Sequence, residues 1–186
     1  MKRRAVILHA MGQSSKGHWY PWLKAELEKH NFDVWVPDLP TPDQPDAQKM
    51  TDFLLARKDW DWSNCLLIGH SSGAVEILQL LPHIDAHILG AVLLGSFDHP
   101  LWEEEHAKLF VDPIDFESVK RKADSFIVMH GDDDPWCPLE GARHIADELE
   151  AEFIIVHGAG HFSTSLNLAF TKNMPLLEVL DSRELI

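Results

Sequence analysis

The chain reads as an α/β three-layer sandwich built on a mainly parallel sheet of about six strands, and three observations predict it. Short apolar runs alternate with longer amphipathic segments, the pattern of βαβ units. One run, residues 65–68 (CLLI), is apolar throughout, as a central strand covered on both faces requires. Neither a linker nor a composition shift interrupts the 186 residues, so residues 1–186 read as a single domain.

Taken in order, residues 5–9 (AVILH) form the first buried strand. Residues 19–30 form a helix with Trp22, Leu23 and Leu27 on one stripe. Residues 33–36 (DVWV) are a second strand, closed by Pro37, and Pro40, Pro42 and Pro45 extend the chain before a helix over 47–57. The 65–68 strand runs into a helix over 72–81 that Pro82 stops. Strands over 87–94, 125–130 and 152–157 follow, with a helix over 139–150 between the last two. Residues 165–180 supply the last helix, broken near Pro175, and the irregular stretch 96–120 reads as a cap at a pocket edge.

Composition narrows the function. The formal net charge is −14, which disfavours nucleic acid and anionic membranes, since both select Lys/Arg patches. No apolar stretch reaches the ~18 residues of a membrane span. The opening MKRRAVIL is too short for a secretory h-region and lacks a small-residue cleavage site. Cys65 lies in a strand and Cys137 in a Pro-bounded loop, a poor pair for a disulfide, so a reduced, cytoplasmic protein is expected.

The strongest motif is Gly69-His70-Ser71-Ser72-Gly73, a G-x-S-x-G run between an apolar strand and an amphipathic helix. Such a turn leaves its central residue exposed and strained, and the flanking glycines keep neighbouring backbones from colliding. With 10 Gly and 11 Ser in the chain, chance supplies about 0.03 such matches. The plainer readings are a tight strand–helix turn with an inert serine or a phosphate-binding loop; the context favours Ser71 as a nucleophile.

A serine nucleophile needs a base, and the base a carboxylate to orient it. Two loops after later strands offer them in the order Ser, Asp, His: His130-Gly131-Asp132-Asp133-Asp134-Pro135 and His157-Gly158-Ala159-Gly160-His161. His161 follows a glycine run able to carry its ring over the sheet, whereas His157 ends a strand. Of three consecutive acids, Asp134 precedes Pro135, which holds it extended; Asp132 and Asp133 then brace the turn. The backbone N–H of Ser72 and, by position, that of Met11 are the expected oxyanion donors.

These residues resemble a known family. GHSSG, HGDDDPWCP and GAGHF, with HWYPWL at the first helix, look like the small hydrolases of the retinoblastoma-binding protein 9 and YdeN type, over nearly the whole chain. The resemblance implies a compact α/β-hydrolase fold with Ser71, Asp134 and His161 as the triad. It also implies cleavage of carboxylic esters or amides without a cofactor. The stretch His9-Ala10-Met11-Gly12 departs from the family's glycine-rich loop. The retinoblastoma-binding motif L-x-C-x-E is absent: residue 135 is Pro and the acid comes at Glu140. The expected partner is therefore a small ester or amide.

Trp19, Trp102, Trp136 and Phe162 are candidates for the wall of an apolar substrate pocket, although Trp19 and Trp22 serve equally well as core anchors of their helix. Three other readings stand beside the main one. A metal-dependent hydrolase would gather His130, Asp132, Asp134, His157 and His161, but the His157–His161 spacing suits zinc on a helix, and three small, glycine-rich residues separate them. A hydrolase fold used only for binding, and acyl transfer or perhydrolysis on the same residues, are the others. No metal is expected.

Overall fold

A computed structural model describes residues 3–186, the side chain of Glu103 excepted. Six parallel strands, β1 (Arg3–Leu8), β2 (Phe32–Trp35), β3 (Cys65–His70), β4 (Gly90–Leu94), β5 (Phe126–Gly131) and β6 (Glu152–Val156), form one sheet in the order β2-β1-β3-β4-β5-β6. The helices are α1 (Tyr20–Lys29), α2 (Ala47–Leu55), α3 (Ser72–Leu80), α4 (Glu103–His106), α5 (Phe116–Lys120), α6 (Leu139–Leu149) and α7 (Met174–Ser182).

The alternation of strand side chains builds two cores. Val6, Leu8, Leu67 and Val128 face a cluster that includes Leu54 of α2, Ile77 of α3 and Ile145 of α6. Ala5, Ile7, Leu66 and Ile68 face the other way, toward Leu23 of α1 and Leu176 of α7. Every residue of β3 is buried, as its unbroken apolar run requires. This is a compact three-layer α/β sandwich on a six-stranded parallel sheet. None of the described helices is long and apolar enough to cross a membrane.

The chain first winds from β1 to β2 at one edge, then returns to β3 on the other side of β1 and continues outward. The reversal opens a crevice at the carboxyl ends of β1 and β3, where sheets of this class bind ligands. Ser71 follows β3 there, and Met11 follows β1.

Two elements differ from expectation. β4 starts at Gly90 rather than at residue 87, because Ile88 makes only an isolated bridge to Ala123. The last helix does not run from residue 165 and break at Pro175; it begins at Met174. Pro175 sits in its first turn, where a missing N–H costs nothing, and Asn173 caps it by accepting from the Leu176 N–H. The 96–120 excursion carries only the short helices α4 and α5.

Candidate active site

The turn after β3 is held by close backbone approach. Ser71 adopts φ 57°, ψ −122°, a conformation L-residues rarely adopt, at the N-terminus of α3. A Cβ at Gly69 would stand 2.5 Å from the Ala74 Cα, and one at Gly73 2.5 Å from the Leu8 carbonyl oxygen. Only glycine fits either place, so the spacing seen in the sequence is a steric demand. The Ser71 N–H donates to the Leu94 carbonyl at 2.8 Å, which ties the strained residue to β4.

Asp134 and His161 come together from the loops after β5 and β6. Nδ1 of His161 lies 2.6 Å from Oδ2 of Asp134, with the two side chains only 5% and 1% exposed. The other oxygen of Asp134 accepts from the N–H groups of Trp136 and Cys137. Burial works to raise the Asp134 carboxyl, but the hydrogen bond and charge of His161 and these two N–H groups outweigh it and hold the acid below its usual range. An ionised Asp134 accepting at Nδ1–H leaves Nε2 of His161 as its acceptor nitrogen, the form a general base needs.

The neighbouring acids have other work. Asp133 accepts from the Gly160 N–H at 2.7 Å. Asp132 accepts from the Gly158 N–H and meets His157 Nδ1 at 2.6 Å. They fasten the loop before His161 rather than their own turn, a correction to the sequence reading. His157 points outward, its side chain 87% exposed, so it does not converge with His161 on a common ion. The ligand atoms of Asp134, Cys137 and His161 do lie within 4.8 Å of one another. The Cys137 thiol, however, is pushed up by burial and by Asp134, and Asp134 already accepts three hydrogen bonds, so this trio is built to hold an imidazole.

The loop after β1 is equally constrained. The Ala10 N–H donates to the Tyr20 hydroxyl, the Gly12 N–H to the Pro42 carbonyl and the Gln13 N–H to the Ala10 carbonyl. Met11 alone of residues 10–13 keeps an N–H with no protein acceptor among the described residues, and the residue lines the cavity over Ser71. Ser72 heads α3, where the first N–H groups have no intrahelical partner.

Sequence reasoning missed the connection between these parts. The Tyr20 hydroxyl accepts from Ala10 and so donates to Nδ1 of His70 at 2.7 Å; Nε2 of His70 then donates to the His161 carbonyl at 2.7 Å. His70 is fully buried, and burial, with the charges of His161 and His18, pushes its pKa far down, so the ring is neutral as this chain requires. One relay thus ties the donor loop, the turn and the His161 loop together. Gly95 was also missed. With φ +57° it lies so close to His161 that a Cβ would stand 2.9 Å from the ring. The tyrosine in HWY and the glycine just after β4 were the available signals.

A cavity of about 200 Å³ opens over Ser71 and His161, and Trp102 and Trp136 line it. Trp19 and Phe162 do not. Both are fully buried, and the Trp19 indole N–H donates to the Phe162 carbonyl, so they anchor the core beneath the site. A larger cleft of about 420 Å³, lined by Asp46, Thr51, Gln79 and Lys108 among others, lies apart and contains none of these residues.

Comparison with known proteins places this geometry among relatives. A family model described as serine hydrolase matches residues 5–170. The chain is 27% identical to YdeN of Bacillus subtilis over 165 residues, 87% of each chain. The crystal structure of the ydeN gene product superposes with a TM-score of 0.89 over 97% of each chain, at 26% identity. Serine hydrolase RBBP9 of Rattus norvegicus is 24% identical over 168 residues, 87% of this chain and 88% of the relative. At 16% identity, the structure of esterase PE8 shares the fold, with a TM-score of 0.62 over 96% of this chain and 93% of its own.

Proposed function

The chain belongs to the serine hydrolase family, and from that premise we propose that it cleaves carboxylic esters, and by the same steps amides, through Ser71, His161 and Asp134. His161 Nε2 takes the proton of Ser71 Oγ as the oxygen attacks the substrate carbonyl. The charge that develops on the carbonyl oxygen is met by the N–H groups of Ser72 and Met11. Collapse expels the alcohol or amine, which receives its proton from His161, and leaves an acyl-serine. Water activated by the same imidazole then releases the acid. Asp134 stays ionised throughout and fixes the ring's tautomer.

One observation carries this reading: a buried 2.6 Å His161–Asp134 pair beside a serine at φ 57° in a shared cavity. The committed N–H groups of Ala10, Gly12 and Gln13 favour Met11 as the second donor. The esterase name borne by one protein of this fold favours esters over amides. Two buried free cysteines suit a reduced, cytoplasmic setting.

The test is covalent labelling by a fluorophosphonate probe together with hydrolysis of short p-nitrophenyl esters. Wild type should label and turn over, and Ser71→Ala should do neither while keeping its thermal unfolding transition. A Ser71→Ala variant that still labels would refute the assignment of the nucleophile.

A further inference from the structure

His18 stands in the wall of the cavity with one end of its ring committed and the other free. It precedes α1 at φ +46° and lines the same space as Ser71 and His161. Its Nδ1 lies 3.2 Å from the Thr164 amide nitrogen and 2.7 Å from Thr164 Oγ1. An amide N–H only donates, so Nδ1 is the acceptor and the proton of the neutral ring sits on Nε2. Burial and the neighbouring His161 push the His18 pKa down to about 4, which keeps the ring neutral at physiological pH. Nε2 meets no protein acceptor among the described residues and is not sealed in the interior. Tyr20 and His70 pack edge-on against the ring at 5.6 Å each, which fixes its tilt from behind.

The rest of the wall decides what that N–H meets. Among the described residues, the lining contains no Asp, Glu, Lys or Arg. Met11, Trp102 and Trp136 supply apolar surface, while Gln13, Ser163 and Ser165 join His18 in supplying neutral polar groups. A substrate carboxylate would lose its water without gaining a cation, and an ammonium would gain no carboxylate. The His18 and His161 rings lie 5.6 Å and 5.0 Å from the His70 ring and line one cavity with Ser71, so a substrate atom that reaches His18 is only a few bonds from the scissile carbonyl.

We propose that His18 is a specificity-determining residue of this site: its Nε2–H donates to an uncharged oxygen of the substrate, an ether, hydroxyl or carbonyl beside the scissile ester. The substrates are then small neutral esters bearing such an oxygen, rather than plain alkyl or anionic ones. This inference rests on Ser71 being the nucleophile.

The experiment compares p-nitrophenyl methoxyacetate with p-nitrophenyl butyrate, which differ by one ether oxygen in place of a methylene. Their ratio of kcat/KM in wild type, divided by the ratio in a variant, cancels their different intrinsic reactivity. His18→Phe keeps a ring without nitrogens, and the double ratio should reach about tenfold, mostly through KM, the size expected for one hydrogen bond. His18→Gln, which returns an N–H to the same reach, should recover most of it. A double ratio near one in His18→Phe overturns the proposal, as does failure of the glutamine to restore selectivity in a folded variant. Faster turnover of p-nitrophenyl hemisuccinate than of the methoxyacetate overturns the neutral-substrate claim. Fluorophosphonate labelling of each variant separates the two levels: wild type that neither labels nor turns over sinks the Ser71 reading itself, whereas labelled protein with an unchanged ratio sinks only His18.

Discussion

Around Ser71 the backbone does the holding, whereas around His161 the side chains do. The turn from Gly69 to Gly73 is fixed by atoms that touch: missing Cβ atoms at both glycines, a strained φ at Ser71, and a hydrogen bond from its N–H to β4. The loop before His161 is fixed by partners from far along the chain. Asp132 and Asp133 hold Gly158 and Gly160, His70 holds the His161 carbonyl, and Trp19 holds the Phe162 carbonyl. Steric fixation fails all at once when a methyl is added. Hydrogen-bonded fixation loosens by degrees and responds to pH. On the proposed mechanism, Ser71 suits the first kind of support because a nucleophile must not move, while the His161 imidazole, shuttling protons between two oxygens, needs an orientation that electrostatics sets.

The largest test of that contrast is the acid. Asp134→Asn keeps the shape of the side chain but removes the charge and the preference for Nδ1–H, so ester turnover should fall about 10³- to 10⁴-fold. Asp132→Asn and Asp133→Asn keep a carbonyl oxygen toward the Gly158 and Gly160 N–H groups, and each should cost less than about tenfold. Steady-state kinetics on one ester checks all three. A larger loss from Asp132→Asn or Asp133→Asn than from Asp134→Asn would mean that the wrong carboxylate has been assigned to the ring.

A methyl group probes the two kinds of support next. At Gly73 the new Cβ would press 2.5 Å from the Leu8 oxygen and 2.7 Å from the His9 oxygen, both backbone atoms that yield only if β1 and α3 part. Gly73→Ala should therefore lower stability by about 1–3 kcal/mol in urea unfolding, the range for overpacking. At Gly95 the contact is the His161 ring, 2.9 Å away, which can turn aside. Gly95→Ala should displace the imidazole and cost about 10²-fold in kcat, as small misplacements of reacting groups do, while its φ of +57° adds about 1–2 kcal/mol of backbone strain. Equal effects on both measures from the two substitutions would erase the distinction between the loops.

The same contrast explains what the sequence revealed. The turn is encoded within five consecutive residues, so Ser71 and its glycines were legible without any knowledge of the fold. The strands, being short apolar runs, were legible too, apart from ends that depend on a single bridge such as Ile88–Ala123. Asp134 was distinguished from its neighbours by Pro135, a local cue, but the tasks of Asp132 and Asp133 depend on amides 26 and 27 positions away. The Tyr20–His70–His161 relay spans separations of 50 and 91 residues and leaves no periodicity. Phe162 was misplaced, and Trp19 left between pocket and core, for a related reason: nearness to a loop in sequence does not say on which side of the backbone an aromatic ring falls. Met11 was chosen by position, and only the committed N–H groups on either side of it give that choice a physical basis.

Acid offers the finest separation of the two regions. Burial holds His9, His70, His106 and His130 below the usual histidine pKa of 6.5, and His18 falls to about 4. In the unfolded chain these rings take up protons near 6.5, so below that pH the unfolded state binds more protons than the folded one. The stability they contribute is therefore complete above about pH 6.5 and is lost as pH falls toward the folded values. Asp134, whose folded pKa is depressed, adds a loss of the same sign at lower pH. The effect should reach the His161 loop first: His70 stays neutral while buried, but an opening that lifts the loop off it lets the ring take up a proton near its ordinary pKa, so acid favours that opening. Amide hydrogen exchange followed from pH 7 to pH 5, corrected for intrinsic rates, should show protection falling at residues 158–163 while residues 66–78 of β3 and α3 keep theirs. Simultaneous loss in both segments would mean that the relay binds turn and loop into one cooperative unit, and that the division between steric and hydrogen-bonded support is one of geometry alone.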